Sequence, residues 1–201
     1  MSRHRILILA WVLFIGLTFI SWLGFFLGGK PLVSVLTAGS PFAFQLALGL
    51  LLGFLVSGSG MLLVLRAAVF RGYRETVATV LGEIQPRWTD LVFVSIGAGW
   101  SEELFFRGLL QPHLGVWVAA GIFWLAHGAI SSTHRGINLY GLCVFFAGVC
   151  LGYLCEAYGL VAAMAAHAAM DATTLLGFHL WMGRRVPAKS GGNSTHPEEY
   201  D

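Results

Sequence analysis

The stretch LVFVSIGAGWSEELFFRGLLQ, residues 91–111, places two adjacent acids and a base inside an apolar segment long enough to cross a lipid bilayer. Glu102, Glu103 and Arg107 lie close together in it, among leucine, phenylalanine and valine. Ionisable groups at membrane depth are costly, and a segment that keeps three of them indicates a functional site. The fold must therefore bury these groups against other helices.

The composition of the whole chain places this stretch in a membrane protein. Of the 201 residues, 57% are hydrophobic and only 11% are charged, whereas a soluble domain has roughly 25% charged residues. The net charge is +2 and no basic stripe indicates a nucleic-acid partner. We therefore predict an all-α, polytopic helix bundle in the lipid bilayer, with its oligomeric state left open.

Hydropathy divides the chain into about six transmembrane helices. The predicted spans are 6–27, 42–65, 91–111, 116–130, 137–158 and 160–182, with a loop at 32–41. Residues 66–90 carry apolar side chains at helical spacing among charged ones, which predicts an amphipathic helix at the interface. We predict one membrane-embedded domain at 1–183 and a disordered polar tail at 184–201.

The basic residues predict the orientation of these spans. If the N-terminus is cytoplasmic, six spans leave only Lys30 on the far side, whereas all the other lysines and arginines outside the spans are cytoplasmic. The positive-inside rule then places both termini in the cytoplasm. The first apolar run is long and lacks a small-residue cleavage site, so we interpret it as a retained helix rather than a signal peptide. The short chain without organelle signals favours a prokaryotic plasma membrane.

Helical geometry separates the two glutamates. Glu103 and Arg107 are four residues apart, with the acid first, which is the favoured order for an ion pair along a helix. Glu102 points about 140° away from Arg107 on an ideal helix. We therefore predict that Glu102 is the reactive acid and that Glu103 and Arg107 support it.

Two histidines in later spans complete the candidate site. At about 1.5 Å per residue, His127, His167 and Asp171 lie in the same slab near the membrane midplane as Glu102. His167 and Asp171 share a helix face, and an aspartate can accept a histidine N–H and fix its orientation. Phe123 lies one turn before His127 and can wall the site. The candidate catalytic residues are Glu102, His127, His167 and Asp171.

This set of side chains suits hydrolysis by an activated water. A carboxylate removed from water holds a proton more tightly and is a better general base near neutrality. Glu102, His127 and His167 could instead be three ligands of a catalytic zinc ion with an open position. The chain has no His-Glu-x-x-His helix, so we predict a site without a cofactor and keep zinc as the second possibility.

The ordered motifs Glu102-Glu103-x-x-x-Arg107, Phe123-x-x-x-His127 and His167-x-x-x-Asp171 resemble the CPBP family, the CAAX-prenyl-protease-like and bacteriocin-processing (Abi) membrane proteins. The motif core is 99–175. The resemblance implies a glutamate-dependent intramembrane endopeptidase acting on a membrane-anchored or lipidated protein or peptide. It implies that Glu102 activates a water that His127 helps to hold, and that His167 with Asp171 stabilises the oxyanion.

One position departs from the family pattern. The third motif often ends in asparagine, whereas an ionised Asp171 cannot donate to an oxyanion. Either Asp171 is protonated, or it only orients His167, and we predict the second. The family includes members with no demonstrated peptidase activity, so a non-catalytic bacteriocin-immunity or scaffold protein is an alternative. A proton or cation transporter is another, although the spans lack the internal prolines typical of broken transport helices.

Overall fold

The computed structural model describes residues 2–128 and 135–183, and over these residues the chain is helical without a strand. The helices are α1 (Arg3–Leu27), α2 (Leu32–Leu36), α3 (Phe42–Arg66), α4 (Arg71–Ile84), α5 (Trp88–Glu103), α6 (Gln111–Ala126), α7 (Arg135–Tyr158) and α8 (Leu160–Gly183). A 3-10 turn at Ala68–Phe70 precedes α4, and a π-helical segment at Leu104–Leu110 joins α5 to α6. The all-α fold is confirmed, and the predicted disordered tail at 184–201 lies outside the described residues.

Five helical stretches of the described chain are long and apolar enough to cross a membrane. Four of them are α1, α3, α7 and α8, and the fifth, Trp88–Ala126, contains the predicted spans 91–111 and 116–130 in one run of 39 residues. A straight helix of that length would extend about 58 Å, nearly twice the ~30 Å hydrocarbon core. Gly115 interrupts the run with φ 77° and ψ 165°, a backbone conformation that essentially only glycine adopts.

Contacts with α7 show that the chain reverses direction at Gly115. Before this glycine the chain runs parallel to α7, because residues further along it contact residues further along α7. After the glycine the chain runs antiparallel to α7. The bonds before it run from Arg107 to the Gly148 carbonyl at 3.0 Å and from Gln111 to the Gly152 carbonyl at 3.1 Å. The contacts after it join Trp117 to Tyr153 and Trp124 to Phe145. The 39-residue run therefore consists of two antiparallel helical segments, one before and one after Gly115, which agrees with the two predicted spans.

Contacting pairs give the direction of the other helices. α1 runs parallel to α5, α3 runs parallel to α8, and α8 runs antiparallel to α5. For α1 with α5 and the following π-helical segment, the pairs are Arg3–Asp90 and Gly24–Leu109. For α3 with α8, they are Gly49–Ala162 and Ser57–Met170. For α8 with α5 and the π-helical segment, they are Gly99–Ala168 and Gly108–Leu160. The six long segments of the described chain, α1, α3, α5, α6, α7 and α8, thus alternate in direction, and residues 2 and 183 lie at the same end of the bundle. That this end is cytoplasmic stays a prediction.

α8 occupies the centre of the bundle because small residues let its neighbours approach closely. Its first turns are buried and rich in alanine. Gly49 and Gly53 of α3 lie against the backbone carbonyls of Ala162 and Ala166, with no room for a Cβ atom. This packing carries His167, the next residue of α8, into the interior.

The segment predicted as one interfacial helix is shorter than expected. α4 ends at Ile84, and Gln85 takes a left-handed conformation with φ 49° directly before Pro86, where a helical conformation is disfavoured. Asp90 instead belongs to the first turn of α5, where it accepts the Arg87 N–H at 2.8 Å and binds the Arg3 guanidinium at 2.6 Å. The predicted loop at 32–41 also differs, because it contains α2.

Candidate active site

The two glutamates lie where α5 gives way to the π-helical segment. Arg107 Nη1 donates to Glu103 Oε1 at 2.8 Å, and both side chains are buried. Glu102 points away from this pair, with 12% of its side chain exposed. The structure thus gives the two acids the different surroundings that their spacing predicted.

Three kinds of contact hold the guanidinium group of Arg107. Besides Glu103, it donates through Nη2 to the Gly148 carbonyl at 3.0 Å. Its Cζ atom also lies 4.5 Å from the centre of the Phe123 ring, a favourable cation–π distance. A buried cation needs such compensation, and the result is a rigid link between the π-helical segment, α6 and α7.

Glu102 faces both histidines. Its Oε2 atom lies 3.6 Å from His127 Nε2 and 4.0 Å from His167 Nε2. This oxygen is buried and has no hydrogen-bond partner among the described residues. Three other buried atoms, Glu103 Oε2, Gln111 Oε1 and Trp124 Nε1, also lack a partner there, so it is the position of Glu102 beside both histidine rings that distinguishes it.

His127 lies at a helix end, not inside a span as predicted. α6 ends at Ala126, and Gly128 turns the chain with φ 59°. His127 Nδ1 lies 2.8 Å from the Phe123 carbonyl, which can only accept a hydrogen bond. Nδ1 therefore carries the proton, and in the neutral ring Nε2 presents a lone pair towards Glu102.

His167 is buried, and its ring contacts acids at both nitrogens. Nδ1 lies 2.7 Å from Glu103 Oε1, and Nε2 lies 3.5 Å from Asp171 Oδ2. The sequence pointed to Asp171 as the residue that orients this ring. The shorter contact comes from Glu103, because the packing of α5 on α8 brings its carboxylate to the opposite nitrogen.

A cavity of about 220 Å³ adjoins the site between α3 and α7. His127, His167 and Asp171 form its polar wall, and its other lining is mostly apolar. Asp171 is partly exposed there, with 39% of its side chain accessible.

Two tyrosines line this cavity that the sequence did not single out. Tyr73 of α4 stacks on Tyr140 of α7 with ring centres 4.0 Å apart. The only signal was a tyrosine near the end of an apolar segment, which is equally typical of a residue at the membrane interface.

Zinc is the second possibility that the sequence leaves for this site, and its predicted ligands lie close together. Glu102 Oε2 is the shared neighbour of the His127 and His167 Nε2 atoms. Even so, no group of three or more histidine, cysteine, aspartate and glutamate side chains in residues 2–128 and 135–183 is arranged to hold a metal ion. We therefore derive no step through a metal ion, and the zinc alternative stays a prediction.

The fold and the site together define an integral membrane protein with an acid–imidazole centre buried in its helices. Residues 84–173, which contain all three motifs, match the family model Type II CAAX prenyl endopeptidase Rce1-like. This match confirms the resemblance to the CAAX-protease-like CPBP family and supports a membrane protease at that level. No curated protein and no solved structure matches the chain.

Proposed function

We propose that this chain is an intramembrane endopeptidase in which Glu102 activates a water to hydrolyse a peptide bond, without a metal cofactor. The observation that carries the proposal is the buried, unpartnered Oε2 atom of Glu102, facing the Nε2 atoms of His127 and His167. The family match over 84–173 supports the same reaction class.

The tautomer of His127 suits it to hold the attacking water. The carboxylate of Glu102 and the bare Nε2 of His127 are both acceptors, so a water between them donates one hydrogen to each. Its lone pair then points away from both and towards the substrate carbonyl carbon. Glu102 takes the proton as the oxygen attacks, which is general-base catalysis.

The remaining groups serve the tetrahedral intermediate. His167 lines the cavity, and its Nε2 stabilises the oxyanion when it carries a proton. Glu102 then returns its proton to the departing amide nitrogen, so that a carboxylic acid and an amine leave and the glutamate is regenerated. Glu103 and Arg107 hold His167 in place throughout.

The surroundings of the cavity support a substrate that is itself in the membrane. Val56 and Leu63 of α3 line the cavity and are also exposed on the outer surface of the bundle. An opening with apolar edges suits a membrane-anchored or lipidated protein or peptide more than a soluble one. We also propose a prokaryotic plasma membrane and, from the distribution of basic residues, an orientation with both termini cytoplasmic.

Terminal proteomics of cells carrying wild type or Glu102→Gln tests the proposal. We expect at least one new protein terminus that wild type produces and Glu102→Gln does not. Glu75→Gln is the matched control, because it makes the same chemical change on the exposed face of α4. If every terminus is identical in the two strains and Glu102→Gln still rescues the deletion phenotype, the chain is a binding, scaffold or immunity protein.

Two measurements on purified protein distinguish the proposed reaction from metal-dependent hydrolysis and from ion transport. Hydrolysis of the identified substrate in proteoliposomes should persist after chelator treatment, whereas loss of activity that added zinc restores would favour the metal form. Proton or cation flux in the same proteoliposomes should be absent. A flux that Glu102→Gln abolishes would favour a transporter.

A further inference from the structure

We infer that Tyr73 of α4 is a specificity-determining residue that closes one end of the catalytic cavity. Clamped between Tyr140 and Phe178, its ring separates the cavity from water, so that a substrate enters from the side, between α3 and α7. The consequence for substrate choice rests on the proposed function, whereas the closure can be measured without any hydrolysis.

The cavity runs along α8 from the active site towards α4. The α8 residues that line it include His167 at one end and Phe178 at the other. The distance between these two positions is about 16 Å along a helix axis. Phe70 and Tyr73 also line the cavity, and the Tyr73 ring contacts Phe178. α4 and the turn before it therefore lie at the end of the cavity that is remote from the chemistry.

Three aromatic rings form an aromatic wall at this end. The Tyr73 ring stacks on Tyr140 with ring centres 4.0 Å apart and meets Phe178 at a steep angle at 5.8 Å. Phe178 is completely buried, and only 8% of Tyr73 is exposed. Paired aromatic rings attract each other beyond the effect of their buried area, so this packing stabilises the closed arrangement.

Contacts on both sides fix the aromatic wall to the neighbouring helices. Arg74 Nη1 donates to the carbonyls of Val64 and Ala67 at 2.6 and 2.8 Å, at the end of α3. On the other side, the Val69 carbonyl lies against Gly136 of α7, where a Cβ atom has no room. α4 and the turn before it therefore bridge α3 and α7 at this end of the cavity.

The part of α4 that is turned away from the cavity faces water. Arg71, Glu75 and Glu83 are exposed there, and charged side chains are costly in the hydrocarbon core of a membrane. The aromatic wall thus stands between an aqueous surface and a mostly apolar cavity. A soluble chain that arrives at this surface meets packed rings.

The side of the cavity between α3 and α7 differs from this end. Val56 and Leu63 of α3 line the cavity and are exposed, and Cys143 does the same on α7. A membrane-anchored segment can reach the active site sideways past these apolar residues. Tyr73 thereby discriminates by exclusion, because it blocks soluble chains and makes no added contact with anchored ones.

Cys143 is a natural reporter of the closure, because it lines the cavity and Cys150 and Cys155 do not. The chain in lipid nanodiscs is treated with a charged, membrane-impermeant methanethiosulfonate or with the apolar N-ethylmaleimide, and each cysteine is quantified by mass spectrometry. In wild type we expect N-ethylmaleimide to modify Cys143 and the charged reagent to react there slowly. Tyr73→Ala should raise the rate of the charged reagent at Cys143 about tenfold, the factor that such ring contacts contribute to an opening equilibrium, without changing the other two cysteines.

Three further variants distinguish opening from unfolding. Tyr73→Phe keeps the ring and should behave as wild type, and so should Tyr153→Ala, the same truncation as Tyr73→Ala on α7 away from the cavity. Arg74→Gln keeps every ring but loosens α4 from α3, so it should also raise the rate at Cys143. If Tyr73→Ala unfolds, which would expose all three cysteines, Arg74→Gln decides the question. A charged reagent that reacts with Cys143 as fast in wild type as in Arg74→Gln and Tyr73→Ala would overturn the inference.

Hydrolysis of two matched peptides tests the consequence for specificity. Both span the cleavage site found by terminal proteomics, and one carries a palmitoyl anchor. In proteoliposomes wild type should cleave the anchored peptide alone, and Tyr73→Ala should gain cleavage of the unanchored one, whereas loss of a purely structural tyrosine would lower kcat/KM for both.

The outcomes separate this inference from the proposed function. Equal cleavage of both peptides by wild type, or no gain in Tyr73→Ala, would overturn the inference and leave the proposed function intact. If Cys143 responds as expected but neither peptide is cleaved, the closure stands and the proposed function fails.

Discussion

Replacing Arg107 by methionine tests whether the buried ion pair holds the bundle together. Methionine has a similar length and an apolar stem, but it lacks the charge that Glu103 binds at 2.8 Å and the donor that the Gly148 carbonyl accepts at 3.0 Å. The guanidinium is buried, so water cannot replace these bonds at the surface. The substitution leaves Glu103 as a buried carboxylate with one partner fewer.

The size of the effect follows from that partner loss. Removing one member of a buried ion pair destabilises a protein by about 3–5 kcal/mol. The His167 ring still contacts the same oxygen of Glu103 at 2.7 Å, so the carboxylate keeps one polar partner and we expect the lower end, about 3 kcal/mol. That value is roughly a hundredfold change in the unfolding equilibrium.

A double-mutant cycle makes the reasoning testable. Adding Glu103→Gln to Arg107→Met removes the uncompensated charge, and the double variant should regain about 2 kcal/mol relative to Arg107→Met alone. Reversible unfolding in mixed micelles, followed by tryptophan fluorescence and circular dichroism, gives the four free energies. If Arg107→Met costs less than about 1 kcal/mol, or the two substitutions simply add, the pair does not stabilise the fold as argued.

Three further substitutions probe the packing, each measured by the same unfolding assay. Gly115→Ala should cost about 1–3 kcal/mol, because alanine is strained at φ 77° and ψ 165°; an unchanged stability would mean that the chain turns elsewhere. Gly53→Val should cost about 1–3 kcal/mol by pushing α3 away from the Ala166 carbonyl, whereas Gly58→Val, which meets open space, should cost far less. Ser57→Ala removes a 2.9 Å bond to the Met170 carbonyl and should cost only about 0.6 kcal/mol; a loss above 2 kcal/mol would contradict this expectation.

The features that local periodicity controls could be predicted from the sequence. Apolar runs set the spans, and the spacing of Glu103 and Arg107 sets their contact, because both depend on the geometry of one helix. Counting residues along each span predicts that Glu102 and the two histidines lie at the same depth in the membrane. In the structure, the Nε2 atoms of both histidines lie within 4.0 Å of Glu102 Oε2.

The features that depend on packing between helices could not be predicted. Which acid meets His167 Nδ1 is decided by how closely Gly99 of α5 approaches Ala168 of α8. No residue type in the sequence predicts the π-helical turn after Glu103. Hydropathy places His127 inside a span because an apolar sequence continues past Ala126, whereas the helix itself ends there.

The paired bonds from Arg107 and Gln111 to the carbonyls of Gly148 and Gly152 have a mechanical consequence. Both donors and both acceptors are spaced by four residues, so sliding α7 along its axis by one residue would break both bonds at once. This side of the bundle resists shear, so the height of the Arg107–Glu103 pair relative to α7 is fixed by hydrogen bonds and not by apolar packing alone.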